Sequence, residues 1–123
     1  MKISEFLRKT YGSAYDFVLE KMKEENFTQN EAAVSLFVLA VEFGVNDALA
    51  SLYLMKIIEA NRPAIESYLS KILNRKVNML GPMILLDAID ELSQKYRIFR
   101  ALRKCMASGK GIGYVEQAYK EVP

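Results

Sequence analysis

Segment after segment of this chain places apolar residues three and four positions apart, and nowhere do β-branched residues alternate with polar ones over a useful length. That spacing gathers apolar side chains on one face of a helix, whereas a half-buried strand needs alternation. No Asn-Gly or Asp-Gly hairpin turn occurs either. The apolar surface therefore has to be buried by packing helices together. The expected fold is all-α, a compact bundle of six or seven short-to-medium helices.

The helix ends can be read from the punctuation. Ser4 caps a short first helix over 5–11, interrupted by Gly12. Ser13 caps a second over 14–25, with Tyr15, Val18, Leu19 and Met22 on its apolar side. Thr28 and Glu31 match a capping box, and the helix they open runs over 29–43 to a left-handed stop at Gly44. Asn46 caps a helix over 47–60, and Pro63 suits the first turn of another that ends near Asn74. After a loop at 75–81, Pro82 opens the longest helix, which reaches about Ala107. The Gly-rich run 108–113 breaks it, and a short last helix follows over 114–120.

With 123 residues, 51% apolar and 26% charged, the chain suits a single helical domain over 1–123 whose core needs no covalent staple. Its one cysteine, Cys105, excludes an intrachain disulfide and fits a reducing compartment. The first ten residues alternate apolar and charged types, unlike a signal peptide. The longest apolar run, 32–41, is too short to span a bilayer. A cytoplasmic protein that does not engage a membrane is expected.

Absences narrow the chemistry. The chain has no His, which removes the Ser-His-Asp and Cys-His arrangements and the His-containing zinc patterns. One cysteine cannot supply an all-Cys site. Asp87, Asp90 and Glu91 lie within one and a half turns, but the Glu-x-x-His pairs of bundle di-metal sites are missing. They read as solvated carboxylates at the positive start of the long helix. Cys105, beside Arg103 and Lys104, reads as a small residue at the core edge whose pKa those cations lower slightly. No enzyme activity, small-molecule substrate, cofactor or metal is expected. The run Ser-Gly-Lys-Gly-Ile-Gly at 108–113 lacks phosphate-loop spacing and follows a helix rather than a strand. It reads as a helix end and turn, with its amides and Lys110 as the alternative contact to a phosphate.

Charge is unevenly spread. Residues 1–60 hold 6 Lys/Arg against 9 Asp/Glu, a net −3, while residues 61–123 hold 11 against 6, a net +5. In the long helix, Leu85, Ile89, Leu92, Tyr96, Phe99 and Met106 form an apolar stripe. Ser93, Arg97, Arg100 and Lys104 form another, about 120° around by the helical period. The first functional expectation is a DNA- or RNA-binding protein that reads backbone rather than sequence. Arg97, Arg100, Lys104 and Lys110 would meet phosphates and Tyr114 would stack on a base, with Arg75 and Lys76 as secondary contacts. Ordinary helix electrostatics competes with it: basic residues late in a helix suit the macrodipole, and Glu91 pairs with Lys95. A helix-turn-helix fits less well. Ala40, Gly44 and Val45 have the turn spacing, but the second helix offers Lys56 as its only cation, so a helical hairpin in the core explains these residues better.

The second expectation is a structural or adaptor protein. The helices over 29–43 and 47–60 are apolar around most of their circumference, and two such neighbours are hard to cover with short helices. The apolar faces around Phe37, Val41, Leu52 and Met55 are then an interface for a second copy or a protein partner. A dimer that binds nucleic acid would satisfy both expectations.

Overall fold

Gly12 takes a left-handed φ of 60° and turns the chain into α1 (Ser13–Glu24). In this computed structural model residues 8–9, 12–38, 48–78 and 82–123 are described, without the side chains at 33, 36–38, 48–55, 57–58, 82 and 85. Ser13 is the first helical residue rather than the cap, and no side chain caps α1. The capping box does form: the Thr28 amide donates to Glu31 Oε1 at 2.8 Å and the Glu31 amide to Thr28 Oγ1 at 3.2 Å. It opens α2 (Gln29–Val38).

Where two helices were expected over 47–74, one continuous α3 (Ala48–Leu73) runs through Pro63. A proline inside a helix forfeits one amide hydrogen bond and crowds the preceding turn. Here the ring is solvent-exposed, and Arg62 bridges Glu59 and Glu66 across the same position. Asn74, at φ 52°, supplies the left-handed exit that ends the helix.

The long helix expected over 82–107 is two helices, α4 (Pro82–Lys95) and α5 (Arg97–Ser108). Tyr96 between them is extended, with φ −122° and ψ 128°. Gly109 closes α5 in the left-handed region at φ 68°, its amide donating to Met106 O. A single 3₁₀ turn, Ile112–Tyr114, then leads into α6 (Val115–Glu121). Among the described residues there are six α-helices and no strand, so the fold is all-α. None of these helices is long and apolar enough to cross a membrane.

The chain divides into two compact units. One combines Met1–Asn26 with Ser93–Pro123, and so holds α1, α5 and α6. There α5 packs on α6 and α1 contacts both. The buried residues include Val18 of α1, Phe99, Leu102 and Cys105 of α5, and Val115 and Ala118 of α6. The other unit, Phe27–Leu92, pairs α2 with α3 and includes most of α4. It buries Val34, Ile65, Leu69, Val77, Ala88 and Ile89.

Two polar residues of α2 are themselves buried: Glu31 and Ser35 are each only 1% exposed. Tyr68 Oη on α3 donates to Glu31 Oε2 at 2.9 Å, and Ser35 Oγ donates back to the Glu31 carbonyl. A buried carboxylate needs donors of this kind. The side chains of Phe37, Leu52 and Met55, and the whole of Val41, lie outside the described residues. So do Ala40, Gly44 and Val45 of the supposed helix-turn-helix.

Candidate functional site

The break at Tyr96 changes the electrostatics of the basic stripe. Arg97 and Arg100 lie in the first turn of α5, at its positive end, and not late in a long helix. The macrodipole therefore opposes them instead of accounting for them. Ser93, expected on the same stripe, belongs to α4. What remains on one face of α5 is Arg97, Arg100 and Lys104, at spacings of three and four.

A carboxylate from elsewhere in the chain compensates the helix start. Glu25, just past the end of α1, accepts the Arg97 amide at 2.5 Å on Oε1 and the Ile98 amide at 2.9 Å on Oε2. Two of the four amides that every helix leaves unmatched at its start are thereby satisfied, and a negative charge sits where the dipole favours it.

The cationic heads themselves are held by residues 121–123 and, for Arg100, by Ser93 as well. Arg97 Nε donates to the Val122 carbonyl at 3.1 Å. Arg100 Nε donates to Pro123 O at 2.9 Å, and its Nη1 to the Ser93 carbonyl at 2.6 Å. Lys104 Nζ pairs with Glu121 Oε2 at 2.6 Å. Glu121 also accepts from Tyr114 Oη at 2.6 Å and from Gln117 Nε2 at 3.1 Å. These donors, Lys104 first and then Tyr114 and Gln117, hold the Glu121 carboxyl down at about 2. The same bond to Glu121 pushes the Tyr114 phenol up.

Aromatic rings complete the face. The Arg97 guanidinium lies 4.4 Å from the Tyr119 ring centre, and Lys21 Nζ lies 5.0 Å from it. Phe17 meets Tyr119 edge to face at 5.5 Å. Burial raises the Tyr119 phenol, aided by Glu25 and opposed by Lys21 and Arg97. Lys110, exposed on the glycine turn, rests 4.4 Å above the Tyr114 ring. The ring face expected to stack on a base is thus shared with an ammonium group.

One unit therefore gathers Arg97, Arg100, Lys104, Lys110 and Tyr114, while Arg75 and Lys76 belong to the other. There Arg75 pairs with Asp87 at 2.5 Å, and both line a shallow groove with Leu73, Asp90 and Glu91. Lys76 is exposed. Among the described residues no group of three or more His, Cys, Asp or Glu could hold a metal ion. Cys105 is fully buried, and that burial pushes its thiol up to about 11, overturning the slight lowering expected from Arg103 and Lys104.

The residues that sequence reasoning missed are the acceptors. Glu25 is 72 residues from Arg97, and no spacing rule links Lys104 to Glu121. No family model matches the chain, and no curated protein or solved structure matches it.

Proposed function

We infer that this is a non-enzymatic binding protein of a reducing compartment, whose basic unit takes the phosphate backbone of a nucleic acid. The observation that carries the reading is the pair Arg97 and Arg100 in the first turn of α5, where helix electrostatics alone disfavours cations, with Lys104 one turn further along the same face. Places where a local rule is broken in this way are where function is expected. The charge of the unit supports the reading as well. Residues 1–26 and 93–123 carry 12 Lys/Arg against 7 Asp/Glu, a net +5, while residues 27–92 carry 5 against 8, a net −3. A surface that collects one sign of charge attracts a polyanion over distance.

Fluorescence anisotropy of labelled single- and double-stranded oligonucleotides tests this at about 50 and 200 mM salt. Engagement of four phosphates gives a log-log salt slope of about −3 to −4 on duplex. Lys110→Glu alters an exposed side chain on the turn and should weaken binding while leaving the helical circular dichroism signal unchanged. No binding at the lower salt overturns the reading.

A second reading rests on α4. Met83 and Leu86, one turn apart, are 72% and 46% exposed, and they are the large apolar side chains left in water among the described residues. This favours an adaptor that docks a second copy or a protein partner through an apolar surface.

A further inference from the structure

We propose that the run Glu121–Val122–Pro123 is a built-in competitor that occupies the basic face of α5 and is displaced when a polyanion binds. The inference rests on the nucleic-acid reading above. Of the five candidate contacts in the basic unit, four are held by these three residues: Arg97 by the Val122 carbonyl, Arg100 by Pro123 O, and both Lys104 and Tyr114 by the Glu121 carboxylate. Oxygen acceptors meet the cations just where phosphate oxygens would. The Val122 carbonyl is uncharged, whereas every phosphate brings a full charge, so exchange gives Arg97 a charged acceptor in place of a neutral one.

Release of the run leaves the last helix anchored. Val115 and Ala118 of α6 are buried, and Tyr119 packs its ring against the edge of Phe17. Val122 has left the helix, with φ −92° and ψ 146°, and Glu121 and Pro123 are exposed. Surface ion pairs and hydrogen bonds of this kind hold weakly and exchange readily. Glu121 couples the two halves of the candidate face, because letting it go frees Lys104 on α5 and the Tyr114 hydroxyl beside the glycine turn together.

The test compares wild type, Glu121→Ala and a chain lacking residues 121–123, each titrated into a labelled single-stranded oligonucleotide at about 50 mM salt. The Val122 amide resonance of the wild-type protein is followed through the same titration. Glu121→Ala should bind about tenfold more tightly, as expected for one further cation engaging the backbone at low salt, and the shortened chain more tightly still. In the wild type the Val122 resonance should move to an unstructured position at saturation. Binding by the variants alone, with none by wild type, would overturn displacement of the run by a polyanion. Equal affinity of all three, or a Val122 resonance unmoved at saturation, overturns the competitor while leaving the nucleic-acid reading in place. Absence of binding by all three overturns both.

Discussion

Glu121 shows how much one side chain can gather: an ammonium, a phenol and an amide all donate to its carboxylate. The ordinary value of 4.5 falls to about 2 as a result. A group whose folded pKa is depressed contributes stability that is fully present above its unfolded value. That contribution disappears as pH falls through the folded value, so the window here runs from about 4.5 down to about 2. We expect a carbon-detected NMR titration of the Glu121 carboxyl to show a midpoint well below the usual carboxylate range, with the Tyr114 ring signals shifting in the same window. A midpoint near 4.5 would mean that the three bonds do not persist in solution. At this scale, legibility in the sequence depended on distance along the chain. The Thr28–Glu31 capping box could be read because its partners are three residues apart. The hydrogen bond from Tyr68 to Glu31 spans 37 residues, and no periodicity announces it. The basic candidates were legible as cations. Their engagement by the last three residues was not, since carbonyl oxygens carry no sequence signal.

Among the elements, helical class followed from the apolar spacing, but two boundaries did not. Pro63 is a usual helix opener, yet α3 continues through it because the ring faces water and no glycine or unfavourable cap interrupts the flanking turns. At Tyr96 the opposite holds. No Gly or Pro marks the break, and the apolar stripe Leu92, Tyr96 and Phe99 runs across it undisturbed. What makes a second helix begin at Arg97 is the carboxylate of Glu25, a tertiary cap. Replacing an N-terminal capping side chain by Ala costs about 0.5–2 kcal/mol. We therefore expect Glu25→Ala to lower the unfolding free energy obtained from urea denaturation by an amount in that range, and to speed hydrogen exchange at the Arg97 and Ile98 amides. Unchanged exchange at both would show that they are satisfied without it.

On the scale of the whole molecule, charge and apolar exposure fall in different units: the basic excess in residues 1–26 and 93–123, the exposed pair Met83 and Leu86 in residues 27–92. If that pair docks a second copy, light scattering should report a dimer that Met83→Ser with Leu86→Ser converts to monomer. A wild-type monomer at every concentration would exclude self-association through this face. The asymmetry between halves was visible in the sequence, but its assignment to a discontinuous unit was not, because that unit is assembled from both ends of the chain. The hydrogen bonds from the Arg97 and Ile98 amides to Glu25 close loops of 72 and 73 residues. Loop closure of that length costs entropy before any contact returns it, and non-local contacts slow folding. Residues 27–92, by contrast, form a continuous stretch that can assemble from neighbours. The order of folding then favours the interior stretch first, and the cap on α5 and the face beneath residues 121–123 form only once the two ends of the chain have met.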